Sequence, residues 1–136
     1  MIVADTSGLL ALFNRREPAH ERAAEIVGDG DVPIVVSPFV LAELDYLVAT
    51  RFGVPAELTM LEEIASGAYE LAAFDRGDIE QAASVIDRYG DQEIGLADAS
   101  IVVLAHRYST KSLLTLDHRH FDVVRPIGGG RFRVLL

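Results

Sequence analysis

The sequence predicts an α/β protein, a three-layer α/β/α sandwich on a central, mainly parallel sheet. Three observations carry that prediction. Short apolar runs, Ile2-Val3-Ala4 and Leu113-Leu114-Thr115-Leu116 among them, alternate with longer segments of helical periodicity. The helical segment 96–108 is apolar nearly all round, as a deeply buried helix should be. Two of the strand-like runs stop at an acid, Asp5 and Asp117, and open parallel sheets collect their ligands outside such carboxyl ends.

The elements follow in order. Ile2-Val3-Ala4 is a short buried strand, and Asp5-Thr6-Ser7 supplies cap residues for a helix beginning near Gly8. That helix carries Leu9, Leu10, Leu12 and Phe13. A second helix spans residues 18–27, with Pro18 at a favourable starting position. Asp29-Gly30-Asp31 reads as a turn and residues 34–37 as another strand. Pro38 opens a helix that runs to Phe52 and closes at Gly53; Pro55 opens the next, ending near Ser66-Gly67. Residues 69–74 alternate enough for a strand. Residues 75–89 form an amphipathic helix carrying Ile79, Ala82, Ala83 and Ile86 at helical spacing. After the apolar helix come a strand over 112–116, a turn at Gly128-Gly129-Gly130 and a final strand over 132–136. No repeat, low-complexity tract or long linker divides the chain, so residues 1–136 are read as one domain.

Composition narrows the function. A chain of 136 residues, half of them apolar, buries roughly 70% of its unfolded surface on folding. The absence of cysteine excludes disulfides, zinc–thiolate sites and thiol nucleophiles. No apolar stretch approaches the ~20 residues that span a bilayer, and no basic leader precedes the first strand. A cytoplasmic protein is expected. The net charge of −9, from 21 acids against 12 bases, argues against nonspecific nucleic-acid binding through a broad basic face. A nuclease stays open, because bound divalent cations reverse the field locally. Lys111 is the only lysine among those 12 bases. Arginine suits bidentate phosphate contacts, though codon bias produces the same skew.

Four acids interrupt apolar surroundings: Asp5, Glu43, Asp98 and Asp117. Glu43 falls on a helical wheel between Phe39 and Leu47, inside the arc that also holds Val40 and Leu44. Asp45 lies outside that arc and reads as solvated surface. Asp98 sits in the first turn of its helix, where the dipole favours an anion. Each acid also has an ordinary explanation: a helix cap for Asp5, a turn for Asp117, a rim-seeking side chain for Glu43, a helix-start charge for Asp98. Jointly those explanations leave the shared avoidance of polar faces unaccounted for. Carboxylates beside a core cost free energy unless paired or metal-bound. Two of them about 4 Å apart repel by roughly 4 kcal/mol at an effective dielectric near 20, so a group of four takes up protons or recruits cations. All-oxygen ligation, without cysteine or a convincing histidine set, selects Mg²⁺ or Mn²⁺ over Zn²⁺, and such ions serve phosphodiester hydrolysis.

In this arrangement the chain resembles a PIN domain, and more narrowly a VapC-type toxin of the VapBC toxin–antitoxin systems. The residues that carry the resemblance are Val3-Ala4-Asp5-Thr6-Ser7, Val40-Leu41-Ala42-Glu43-Leu44, Gly95-Leu96-Ala97-Asp98-Ala99, and Leu114-Thr115-Leu116-Asp117 followed by Phe121. No single motif is specific, but the ordered set covers nearly the whole chain. The resemblance implies a metal-dependent endoribonuclease that hydrolyses RNA with a metal-activated water and no protein nucleophile. Asp5, Glu43 and Asp98 would be the main Mg²⁺ or Mn²⁺ ligands, with Asp117 completing the site directly or through water. Thr6, Ser7 and Thr115 would orient carboxylates or a bound water, unless they only cap helices and strand ends.

Other residues are less telling. His118-Arg119-His120 reads as exposed loop histidines, with RNA phosphate contact as the alternative. Arg119, Arg15 and Arg16 are candidates to touch a substrate phosphate, against solvated surface. His20 and His106 fit helix surface or core. Receiver domains and aspartyl phosphatases also place acids at strand ends. Asp5 lacks an acidic neighbour, Lys111 precedes its strand and position 7 is Ser, so neither fits. The remaining alternatives are a metal-dependent nuclease acting on DNA and a PIN-like module that binds RNA or a partner without cutting. The resemblance further implies neutralisation by a VapB-type antitoxin, an RNA substrate of the tRNA or rRNA class, and a homodimer that builds a heterotetramer or larger assembly with the antitoxin. An acidic surface suits a basic, disordered antitoxin tail. The apolar stripes over residues 9–13 and 58–64 are candidate surfaces for that tail or for a dimer, with core packing as the plainer explanation.

Overall fold

Parallel neighbours in a sheet need a crossover each, and this chain supplies its crossovers as helices. The computed structural model describes residues 1–28 and 30–136. Asp29 of the expected turn lies outside the described residues. Strands β1 (Ile2–Ala4), β2 (Ile34–Val36), β3 (Glu70–Leu71), β4 (Ser112–Leu114) and β5 (Arg133–Val134) form one sheet in the order β3-β2-β1-β4-β5. Every pairing is parallel. Flanking the sheet are α1 (Thr6–Phe13), α2 (His20–Val27), α3 (Pro38–Phe52), α4 (Val54–Ala65), α5 (Arg76–Arg88), α6 (Leu96–Arg107) and α7 (His118–Phe121), with a 3₁₀ turn at Gly90–Gln92.

The centre of the sheet fixes everything else. β1 and β2 are buried at every position, and β1 sits between β2 and β4 with Ala4 opposite both Val36 and Leu114. The strand ends that carry Asp5 and Asp117 are therefore neighbours. α6 packs beneath them with an unbroken buried run from Ala99 to Ala105, as its all-round apolar sequence requires. Gly8 lets α1 lie against β4: a β-carbon there would stand 1.9 Å from the Leu114 carbonyl oxygen. Gly53, with φ of +90°, ends α3 and turns directly into α4. Ser37, just past β2, caps α3 through its hydroxyl, which accepts from the Phe39 N–H at 3.2 Å.

Several expectations need correction. α1 starts at Thr6, since Asp5 itself is the cap. α2 starts at His20, not Pro18, because the His20 N–H closes a turn on the Glu17 carbonyl and leaves Pro18 outside the helix. β3 and β5 are only two residues long against the expected six and five. Both are edge strands, held by pairing on one side alone. The strand over 112–116 stops at Leu114, where Thr115 turns to hydrogen-bond Asp5. Residues 118–121, expected as loop, form the short helix α7 because Asp117 caps them, its Oδ1 accepting from the His120 N–H at 3.0 Å. Asp45 is not solvated surface. It is half-buried beside Glu57 of α4, whose carboxyl is pushed up by hydrogen bonding to Asp45 first and burial second.

Candidate metal centre

Asp5 leaves β1 and caps α1, so its carboxylate is pinned at the carboxyl end of the sheet. Its Oδ1 accepts from the Gly8 N–H at 2.8 Å and the Ser7 hydroxyl at 2.7 Å. Its Oδ2 accepts from the Thr115 hydroxyl. Each hydroxyl is itself oriented from behind. Ser7 Oγ accepts from the Leu116 N–H at 2.9 Å, and Thr115 Oγ1 accepts from the Asp117 N–H at 2.9 Å. Two backbone donors of the segment after β4 are thus relayed through hydroxyls onto a carboxylate that follows β1. Asp5 is 7% exposed, and burial pushes its carboxyl up against the lowering by Thr115, Gly8 and Ser7. Thr6, also buried, lines the cleft beside it.

Asp98 and Asp117 face Asp5 from two other elements. Asp98 occupies the first turn of α6. Its carboxyl is pushed up to about 6 by burial; His120 opposes the shift, while Asp117, Asp5 and Glu43 add to it in that order. The first turn of α6 is held by a buried hydroxyl chain. Ser37 and Ser100 oxygens lie 2.6 Å apart, and Ser100 donates to the Ala97 carbonyl at 2.6 Å. With the Ser100 proton so used, Ser37 is the donor between them. Sequence reasoning missed both serines; the only signal was a polar residue at each of two buried positions.

His120 is the larger omission. Read from sequence as an exposed loop residue, it is half-buried and points into the cluster. Its Nδ1 lies 2.8 Å from Asp117 Oδ2 and 3.4 Å from Asp98 Oδ2. Phe121 anchors this turn: it is 2% exposed and meets Phe132 edge to face. The available signal was the three-residue spacing from Asp117, which puts His120 one helical turn on once Asp117 is a cap.

Donor atoms of Asp98, Asp117 and His120 all lie within 4.8 Å of one another; Asp5 and Glu43 stand outside that tight group but line the same cleft. Glu43 departs from its expected burial. It is exposed, because the flank of α3 that faces the cleft is open rather than packed. The cleft has a volume of about 490 Å³. The four acids line it together with the apolar Leu10, Val40, Leu47 and Ile101, and Arg51 is its one basic lining residue. Arg15, Arg16 and Arg119, the sequence candidates for phosphate contact, are exposed and do not line it; Arg119 stands in α7 beside His120.

The donor set fits a hard divalent cation. Adjacent ligands around an octahedral ion at roughly 2.1 Å stand about 3 Å apart, and the two His120–carboxylate separations of 2.8 and 3.4 Å bracket that spacing. A proton on Nδ1 makes the same contact to Asp117 an ordinary hydrogen bond. Among the described residues no cysteine or second histidine joins the cluster, so oxygen donors dominate it. Crowded carboxylates of this kind can offset charge on a cation and place it against a phosphate.

Three comparisons bear on this arrangement. The PIN domain family matches residues 2–126. Ribonuclease VapC26 of Mycobacterium tuberculosis (strain ATCC 25618 / H37Rv) is 56% identical over 134 residues, which is 98% of this chain and 99% of that protein. Among solved structures, Mycobacterium tuberculosis VapC20, a sarcin-ricin loop cleaving toxin, superposes with a TM-score of 0.78 at 22% identity, over 86% of this chain and 90% of its own. VapBC2 from Rickettsia felis, bound to a DNA fragment from its promoter, gives 0.69 at 20% identity over 91% and 93%. The last two establish likeness of fold.

Proposed function

The chain belongs to the PIN-domain family and, within it, to the VapC ribonuclease toxins of toxin–antitoxin systems; from that premise we propose that it is an endoribonuclease whose cleft holds Mg²⁺ or Mn²⁺ on Asp5, Asp98 and Asp117, with Glu43 and His120 beside them. The observation that carries this reading is the convergence of Asp98, Asp117 and His120 donors within 4.8 Å, above a buried and fully oriented Asp5. Bound there, a divalent cation supplies Lewis acidity toward a water and a phosphate oxygen.

The residues do the rest. Ser7 and Thr115 hold both Asp5 oxygens in fixed directions, so the carboxylate is preorganised before any ligand arrives. Ser7 is committed as donor to Asp5 and acceptor from Leu116, which leaves it unsuited to attack a phosphorus. The chain has no cysteine, and in this reading water is the nucleophile, as divalent-cation sites of this kind allow. Thr6 lines the cleft beside Asp5, with apolar residues among its neighbours there.

The whole chain works as one domain: β5 lies beyond the family match yet pairs with β4. No helix among the described residues is long and apolar enough to cross a membrane, and the site of action is the cytoplasm, where RNA of the tRNA or rRNA class is the substrate. A VapB-type antitoxin is the partner, and the toxin works as a homodimer within a heterotetramer or larger complex. Its docking surface is the apolar groove of about 310 Å³ formed by Leu10, Phe13, Val48, Phe52, Ala56 and Met60. A basic segment continuing from that groove would meet the acidic cleft, with which it shares Leu10.

The test is cleavage of matched RNA and DNA strands with Mg²⁺, with Mn²⁺ and with excess chelator. Cutting of RNA alone, abolished by chelator and by Asp98→Asn without loss of fold, is the expected result. Undiminished cutting in chelator overturns the metal-dependent reading; equal cutting of both strands replaces the ribonuclease by a general nuclease.

A further inference from the structure

The cleft is chemically lopsided along α3. Glu43, Leu47 and Arg51 follow one another at four-residue spacing, so they form a single stripe on the helix, and all three line the cleft. The acidic cluster stands at the Glu43 end. The backbone of Arg51, in the last turn of α3, lies about 12 Å further along the helix axis. Among the described residues Arg51 makes no ion pair; the pairs present are Arg107 with Asp78 and His120 with Asp98 and Asp117. Its charge therefore faces the cleft unneutralised, although the chain carries a net −9. A helix C-terminus favours a cation there, yet placement alone would allow any open face of α3.

An acid cluster and one distant arginine, with apolar Leu47 between them on the helix, suit a nucleic-acid strand, which carries its phosphates at intervals along a chain of sugars and bases. Resting on the ribonuclease reading above, we propose that Arg51 is a substrate-positioning residue that grips a phosphate further along the RNA strand, beyond the immediate neighbour of the one held at the acids. The guanidinium fork gives that grip two donors in a fixed plane, which a lysine does not reproduce. The intervening nucleotides lie along Leu47, the half-buried member of the stripe. The spacing sets a minimum substrate length, since a fragment ending at the cut phosphate cannot reach Arg51.

The experiment uses a single-stranded oligoribonucleotide that the wild-type protein cuts. Binding is followed with Ca²⁺ in place of Mg²⁺, over a series of salt concentrations, for the wild type, Arg51→Ala, Arg51→Glu and Arg51→Lys, and steady-state cleavage is measured in parallel with Mg²⁺. Each phosphate contact on a single strand contributes about 0.7 to the slope of log affinity against log salt. Arg51→Ala should flatten that slope by about 0.7 and raise KM about tenfold with kcat little changed, since it removes ordinary binding. Arg51→Glu should weaken binding further, Arg51→Lys should recover part of it, and the thermal midpoint should not move. Replacing phosphates one at a time along the strand by an uncharged methylphosphonate should identify one position, beyond the immediate neighbour of the cut site, whose loss weakens wild-type binding and leaves Arg51→Ala indifferent. Wild-type protein that cleaves RNA while Arg51→Ala and Arg51→Glu keep its slope and KM overturns the Arg51 assignment and leaves the ribonuclease standing. Failure of the wild-type protein to bind and cut any RNA strand offered in the search for that substrate overturns both.

Discussion

At the C-terminal end of α6, Arg107 lies 2.6 Å from Asp78 of α5 and also donates to the Ala73 carbonyl at 2.7 Å. At the N-terminal end of the same helix, Asp98 confronts Asp5, Asp117 and Glu43 with His120 alone to offset them. The Asp78 carboxyl is held below its usual range, first by the Asp75 N–H and then by Arg107. The Asp98 carboxyl is pushed up to about 6. Both ends obey the helix dipole, with an acid near the first turn and a base in the last. What separates them is satisfaction. One acid has its donors and contributes to the fold; the other is desolvated among like charges, and only a cation or a proton relieves it.

The largest effect that would sharpen this contrast is expected from Asp98→Asn. Divalent-cation affinity by calorimetry, and RNA cleavage with it, should fall more than about a hundredfold, beyond the loss seen for supporting residues of metal sites. In chelator near neutral pH the same variant should unfold at a higher temperature than wild type, because the amide removes an anion from a crowded site. A lower midpoint would mean that Asp98 is a structural acid after all, like Asp78.

Gly8→Ala comes next. Its β-carbon would meet the Leu114 carbonyl oxygen at 1.9 Å, a backbone contact that cannot swing aside. We expect a loss on the order of 3 kcal/mol in urea unfolding, together with weaker cation binding, since α1 would be driven off β4 and carry Asp5 with it. Full stability would show that α1 and β4 do not approach so closely.

The pH dependence follows in size. A carboxyl raised on folding binds its proton more tightly in the folded state, so its contribution is fully present below its ordinary value near 3.8 and is lost as pH rises through about 6. Metal-free protein should thus lose on the order of 2 kcal/mol of unfolding free energy across that window, with Asp5 adding in the same direction. Saturating Mg²⁺ should cancel or reverse the trend, because ligation needs the deprotonated acids. Denaturation series at about pH 5 and pH 7.5, with chelator and with metal, read this directly; identical curves in the two conditions would count against it.

The smallest effect belongs to the satisfied end. Arg107→Ala should cost less than about 1 kcal/mol, as partly exposed ion pairs do, and should leave cation affinity untouched. A change in metal binding would show that the two ends of α6 are coupled.

Much of this was legible in the chain because short buried runs leave few alternatives. Ile2-Val3-Ala4 and Leu113-Leu114 can only be interior strands, and their neighbouring ends bring Asp5 and Asp117 together. Periodicity served less well where surroundings decide. A helical wheel put Glu43 in an apolar arc but could not tell a packed flank from one that opens on a cleft. Asp45, on the polar side of the same wheel, met α4 instead. His120 entered the site through a single turn of helix too short to show a period, and Arg51 through an eight-residue stride along α3. The edge strands shrank because pairing on one side only does not hold the flanks of an apolar segment extended.

The most direct measurement is anomalous diffraction from crystals of this protein soaked in Mn²⁺. The account predicts a manganese peak in the cleft within ligand distance of Asp98 and Asp117, lost in Asp98→Asn. Wild-type crystals at saturating Mn²⁺ with no peak there, or with manganese only at other carboxylates such as Asp78, would contradict it.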